Sequence, residues 1–265
     1  MSTPNHIDSE VKSCCAALYA SDWARLLLGE SFHPGGLRLT ARVGELLELG
    51  PTDHVLDLAA GLGTSAFFVA QRFGAQVDGI DYSADVVAEA RKRTEERGVA
   101  DRVRFRQGDA ECLPFADESF DAVYCECAFC TFPDKPAAAA EIARVLRRGG
   151  RVGLADLTRA EELPDELQTL LGWVACLGDA RPIEDYADYL ATAGFTPPVI
   201  EIHDEALGEL LRQIRGKLLG AELLAKLGKL HLPVGDFEQA KKLARVAATA
   251  IERGHLGYSL LVARR

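Results

Sequence analysis

The sequence predicts an α/β fold: one doubly wound, Rossmann-like sheet of seven strands with helices on both faces. Three observations predict it. After about fifty residues, short β-rich apolar runs alternate with longer segments of helical periodicity. Glycines punctuate the helix ends at Gly98, Gly149, Gly150 and Gly194. A Gly-rich turn follows the first strand and opens at once into a helix. With 265 residues, 48% of them hydrophobic, the chain is long enough for one sizeable domain with an elaboration.

The strands are expected at His54–Leu58, Gln76–Asp81, Val103–Gln107, Ala122–Cys127, Arg151–Ala155, Val199–Ile202 and Tyr258–Ala263. Each is a short apolar run of the kind that a sheet covered on both faces requires. Helices are expected between them, at Ser65–Phe73, Ala84–Arg97, Lys135–Leu146, Glu162–Trp173 and Ile183–Ala193. Two more, Glu205–Leu230 and Phe237–Arg253, precede the last strand and are separated at Pro233 and Gly235. The first of these carries Leu207, Leu210, Leu211, Ile214 and Leu218 at helical spacing, an apolar stripe that suits a lid, a core extension or an interface. The organisation expected is an N-terminal helical segment over the active site (1–49), a core (50–204), a helical insertion (205–254) and a final core strand (255–265).

Composition excludes several classes. A formal charge of -10 repels phosphate backbones, and no basic stripe interleaved with aromatics is present, so nucleic acid is not an expected partner. The basic stretch Lys217–Arg245 is spread along helical sequence as a solvated face. No run approaches the roughly 18 apolar residues of a spanning helix, and M-S-T-P-N-H-I-D-S-E lacks the basic then apolar order of a secretory signal, so no membrane partner and a cytoplasmic location are expected. In that compartment the seven cysteines, Cys14, Cys15, Cys112, Cys125, Cys127, Cys130 and Cys176, are expected as thiols, metalloid ligands or packed small hydrophobes rather than disulfides. Their spacing is not that of a structural zinc site.

The first strand runs into V-L-D-L-A-A-G-L-G-T-S (Val55–Ser65), where Gly61 and Gly63 let the backbone pass close to a ligand. Alone this is compatible with an ordinary tight turn, and G-x-G-x-x-A (Gly61, Gly63, Ala66) also fits a nicotinamide dinucleotide fingerprint. Asp81, in G-I-D-Y-S, ends the second strand and is placed to accept hydrogen bonds from two ribose hydroxyls of either cofactor. Two acids favour a different cofactor. Asp57 lies inside the first strand, where it can meet a cationic amino group; a pyrophosphate-binding turn has no use for that charge. Asp109, in Q-G-D-A-E-C-L-P-F (Gln107–Phe115), could bond an adenine amine with Leu113 and Phe115 packed nearby.

These residues resemble the class I S-adenosylmethionine-dependent methyltransferases over residues 50–204. The likeness lies in the D-L-x-x-G-x-G turn, the acid ending the second strand, the G-D-A after the third and E-I-A-R-V-L-R-R-G-G-R (Glu141–Arg151). The resemblance implies sheet order 3-2-1-4-5-7-6 with the last strand antiparallel. It implies S-adenosylmethionine as cofactor, held by Asp57, Ala59, Gly61, Gly63, Asp81, Tyr82, Asp109 and Ala110. Ala59 departs from the pattern, which has glycine there.

In an open α/β sheet the acceptor sits beyond the carboxyl ends of the strands. The end of the fourth strand reads Y-C-E-C-A-F-C-T-F-P-D-K (Tyr124–Lys135), three thiols in six residues. Cys125 and Cys127 are expected on one side of that strand with only Cys127 clear of the sheet, and Cys112, Cys125 and Cys130 are expected in packing roles. These segments are similar to the arsenite S-adenosylmethyltransferases: Cys127 precedes Asp134 and Lys135, Cys176 precedes Gly178, Asp179 and Ala180, and Cys14–Cys15 is a vicinal pair near the N-terminus. Asp179 is an extra residue relative to that pattern, and S-F-H-P-G-G (Ser31–Gly36) stands where the family has a further cysteine. The resemblance implies a small-molecule or metalloid substrate held by Cys127 and Cys176, with Cys14 or Cys15 as a third ligand and glutathione or another thiol as reductant. Trivalent arsenic is a soft acceptor suited to thiolate, and its lone pair can take a methyl group without a general base. Two other functions remain open on the residues. One is methylation of a phenol, quinone precursor or small thiol with Glu126, His33 or His203 as base; the other is a non-catalytic metalloid sensor.

Overall fold

The computed structural model describes Lys12, residues 33–167, Leu177 and residues 179–226 and 237–265. Its seven-stranded sheet has the order β3-β2-β1-β4-β5-β7-β6. The strands are β1 His54–Leu58, β2 Gln76–Asp81, β3 Val103–Gln107, β4 Phe120–Glu126, β5 Leu146–Arg159, β6 Val199–Ile202 and β7 Leu256–Arg264. Parallel pairing runs from β3 through β2, β1 and β4 to β5. β7 then enters antiparallel between β5 and β6. The sheet order reverses between β1 and β4, and the two turns leaving those strands bound a crevice.

Seven helices are described: α1 Gly36–Leu46, α2 Thr64–Phe73, α3 Ala84–Arg97, α4 Lys135–Val145, α5 Ile183–Thr192, α6 Asp204–Lys226 and α7 Phe237–Glu252. Their ends follow local chemistry. The Ser83 hydroxyl accepts from the Val86 amide at the start of α3, and Gly98 takes the left-handed conformation at its end. Asp134 caps α4 by accepting from the Ala137 amide, with Pro136 in the first turn. Strands β1 and β4 are almost wholly buried, with Val55, Leu56, Leu58, Ala122 and Val123 fully shielded. That accounts for their continuous apolar reading. α1 packs close to α2 because Gly44 leaves room for the Phe73 ring, and its Val43, with Leu47 just after it, lies over Gly153 of β5. This brings Thr40, and His33 just before the helix, over the end of β4.

Two elements differ most from expectation. β5 extends well beyond Arg151–Ala155 because β7 pairs with it continuously from Arg151 to Arg159. Of the helix expected at Glu162–Trp173, the described residues contain one 3-10 turn, Asp165–Leu167, and the remainder lies outside them. α6 and α7 bury Leu207, Leu218, Ala244, Ala247 and Ala250, and Lys241 of α7 pairs with Glu222 of α6 at 3.0 Å. Among the described residues, no helix is long and apolar enough to cross a membrane.

Candidate active site

A cleft opens at the carboxyl ends of β1, β2 and β4. It is lined by the turn after β1, the tip of β2, residues 108–110 after β3, residues 126–128, Thr131 and Phe132, and by Lys12 and His33. The turn after β1 is a run of left-handed conformations: Ala59 at φ 56°, Gly61 at φ 54° and Gly63 at φ 82°. Glycine is required at Gly63 for a second reason, since a Cβ there would meet the Phe105 ring at 2.3 Å. Ala59 tolerates a conformation that costs a non-glycine residue roughly 1 kcal/mol. The Gly61 amide donates to Asp81 Oδ2 at 3.0 Å and the Ser83 amide to Asp81 Oδ1 at 2.9 Å, so the acid ending β2 also braces the turn after β1. Burial raises the Asp81 carboxyl above its usual range, and the amides of Ser83, Gly61 and Tyr82 oppose this.

Asp57 is buried in β1, and its Oδ2 has no hydrogen-bond partner. Burial pushes this carboxyl well up; Glu126 and Asp81 add to the effect, and the Tyr124 hydroxyl opposes it. A buried carboxylate oxygen without a donor costs on the order of 1–3 kcal/mol. Asp57 also lines the cleft.

Asp109 is paired within the chain. Lys12 Nζ lies 2.7 Å from Asp109 Oδ2 and 2.5 Å from Glu111 Oε2. Glu111 Oε1 accepts from the Asp134 amide at 2.9 Å, so the loop after β3 is joined both to the N-terminal segment and to the cap of α4. Leu113 is buried, but Phe115 packs edge-on against Phe120 and under Arg106 and does not reach the cleft. Tyr82 and Ala110 line the cleft with Asp109.

At the end of β4, Glu126 Oε2 accepts from the Ser65 hydroxyl at 2.5 Å and from the Thr40 hydroxyl at 3.2 Å, and His33 Nε2 lies 3.4 Å away. The second oxygen, Glu126 Oε1, is buried without a partner. Cys127 follows at φ 55°, outside the strand, with its amide donating to the Ala155 carbonyl at 2.7 Å. Strand alternation, which would send residues 126 and 127 to opposite faces, therefore stops at Glu126, and both residues line the cleft. This corrects the expectation that Cys127 belongs to β4 and shares a side with Cys125. Cys125 and Cys130 are fully buried, and burial pushes the Cys125 thiol well up. Cys112 is exposed rather than packed.

Cys14, Cys15 and Cys176 lie outside the described residues. Asp179 pairs with the buried Lys135 and with Arg181, and Lys135 Nζ also donates to the Phe132 carbonyl at 3.0 Å. His203 pairs with Glu201 at 3.3 Å and is not on the cleft. Among the described residues, no group of three or more His, Cys, Asp or Glu could hold a metal ion. The sequence offered no signal for Lys12, Thr40 or Ser65. Each acts through a partner remote in the chain, 61 residues away for Ser65 and 97 for Lys12.

Comparison with known proteins bears on family and fold. A methyltransferase-domain family model matches residues 55–150. The chain is 34% identical over 238 residues to the O-methyltransferase cnsE of Penicillium expansum, covering 87% of this chain and 78% of that protein. It is 32% identical over 255 residues to an arsenite methyltransferase of Aquipseudomonas alcaligenes, covering 89% and 72% respectively. Of two other curated methyltransferases it spans about half the length, 56% and 49%. Among solved structures, phosphoethanolamine N-methyltransferase 2 of Haemonchus contortus, in complex with phosphomonomethylethanolamine and S-adenosylhomocysteine, superposes with a TM-score of 0.81. The identity there is 19%, over 96% of this chain and 60% of that one.

Proposed function

The chain belongs to the class I S-adenosylmethionine-dependent methyltransferases, and from that premise we propose that it methylates a trivalent metalloid held by thiolates, arsenite being the model acceptor. The cleft fits the cofactor. Asp57 offers a buried, unpartnered carboxylate oxygen to a cationic ligand, and the left-handed turn after β1 keeps the backbone open beside it. In this reading Asp57 meets the ammonium group, Asp81 the ribose hydroxyls and Asp109 the adenine amine, with Ala59, Gly61, Gly63, Tyr82 and Ala110 lining the remainder. When bound, S-adenosylmethionine supplies a methyl group on a sulfonium, electrophilic without further activation.

The observation that carries the metalloid reading is Cys127. It is a half-buried thiol held at φ 55° on the cleft, immediately beyond β4. Positive φ at a non-glycine residue persists where the surroundings over-determine it, and such strain gathers at functional sites. The Lys135–Asp179 ion pair supports Cys176 as a second ligand, because it ties the segment three residues beyond Cys176 to the loop that begins at Cys127. Two thiolates would displace hydroxides from arsenic and leave its lone pair for the methyl group. Cys14 or Cys15 would complete the set, with glutathione or a similar thiol as reductant in the cytoplasm.

Methyl transfer from labelled S-adenosylmethionine to arsenite, compared between the native chain, Cys127→Ser and Cys176→Ser, tests the proposal. Methylated arsenic from the native chain, lost in both variants, is the expected result; cofactor binding with no methylated arsenic overturns it. A second reading, methylation of a phenol, quinone precursor or small thiol, draws on Glu126 Oε1 as a proton acceptor on the same cleft and on the likeness to an O-methyltransferase. In that case transfer survives both cysteine substitutions.

A further inference from the structure

We propose that Glu126, held by the Ser65 and Thr40 hydroxyls, is the proton-transfer residue that loads arsenite onto Cys127 by carrying the thiol proton to a departing hydroxide. The inference rests on the metalloid reading and adds a step to it, because arsenite reaches a protein as an oxyacid. An As–S bond can form only as an As–O bond breaks, and hydroxide is a poor leaving group until protonated.

The geometry supplies what that exchange needs. Glu126 Oε2 is saturated by the Ser65 and Thr40 hydroxyls with His33 beside it, which fixes the carboxylate plane and leaves Oε1 as the one oxygen without a partner. His33 Nδ1 lies 3.2 Å from the Pro34 carbonyl, and its Nε2 faces Thr40 Oγ1 and Glu126 Oε2, each at 3.4 Å. The left-handed turn at Cys127 brings consecutive residues, an acid and a thiol, to one cleft, where a continuing strand would have separated them.

The step balances. The Cys127 S–H proton passes to the Glu126 carboxylate and the thiolate sulfur bonds to arsenic. The As–O bond breaks, and the hydroxide takes the proton from Glu126 and leaves as water. Arsenic stays trivalent and the carboxylate is restored for the next exchange.

The test is Glu126→Gln, which keeps the size and the acceptor for Ser65 and removes the proton carrier. Single-turnover methyl transfer is measured with two acceptors: arsenite without added thiol, and arsenic preloaded as its tris-glutathione adduct, which has no hydroxide to expel. Equilibrium binding of S-adenosylmethionine to the variant reports that the cleft is intact. The expected result is a loss of about a hundredfold with arsenite and a far smaller loss with the preloaded adduct. Equal losses with both acceptors, or none with arsenite, overturn the role given to Glu126. Native protein that methylates neither acceptor overturns the metalloid reading itself, a failure separate from that of Glu126.

Discussion

At Gly63 the backbone stands at φ 82° with the Phe105 ring where a side chain would begin. Gly63→Ala must both strain the chain and displace a ring, so a loss of roughly 2–4 kcal/mol in urea unfolding is expected, with cofactor binding lost as well. Ala59 is the opposite case. At φ 56° its methyl already sits in an unfavourable conformation, so Ala59→Gly should leave stability within about 0.5 kcal/mol of native instead of costing the usual 0.5–1 kcal/mol. Asp57 sets a pH dependence. Its raised folded-state carboxyl holds a proton to higher pH than the unfolded chain does. The stabilisation from that proton is complete below the unfolded value of about 3.9 and is lost as pH rises through the folded one. Asp57→Asn removes the dependence, so its melting temperature relative to native should rise as pH is raised above about 4, while its affinity for S-adenosylmethionine falls. A melting difference that is flat with pH would contradict this.

Among the elements, the tie between the start of α4 and the segment at Leu177–Ala180 makes an asymmetric prediction. Lys135 is buried and its partner Asp179 also pairs with Arg181. Asp179→Asn strands the lysine in the interior and should cost about 3–5 kcal/mol, whereas Lys135→Met leaves Asp179 its arginine and should cost distinctly less. Chemical denaturation of the two variants gives the order. Elements at this scale were legible where local pattern decides them: β1, β2, β3, β6 and α3 fall on the residues that their apolar runs and glycines indicate. β5 was not, because L-R-R-G-G-R looks like a turn, and pairing with distant strands, Leu146 with Phe120 of β4 and Arg151–Arg159 with β7, draws the whole run into the sheet. The site divides similarly. Asp57, Gly61, Gly63 and Asp81 announce themselves by fixed offsets within one β-α-β unit. The partnership of His33 with Glu126, and of Lys12 with Asp109, joins residues between which no periodicity runs.

For the molecule as a whole, charge matters most in the approach of ligands. A net charge of -10 surrounds a cleft lined by the carboxyl groups of Asp81, Asp109 and Glu126, with Lys12 and His33 also on it. The S-adenosylmethionine sulfonium is attracted to such a cleft, and the neutral sulfur of S-adenosylhomocysteine is not. Raising ionic strength should therefore slow association of the first more than of the second in stopped-flow binding. Equal salt dependence would show that the field of the protein plays no part.

The place of β7 between β5 and β6 governs how the molecule is made. Among the described residues β6 pairs with β7 and with no other strand, and β5 gains its second neighbour only when β7 arrives. On the ribosome the half of the sheet that forms the cleft, β1 to β4, is available early, while the long apolar edge of β5 stays open until nearly a hundred further residues have emerged. Such an edge can recruit a neighbouring chain as readily as its own. The yield of usable enzyme in a cell is then a matter of timing, set by how quickly β7 is delivered after β5 and by chaperones that cover the interval.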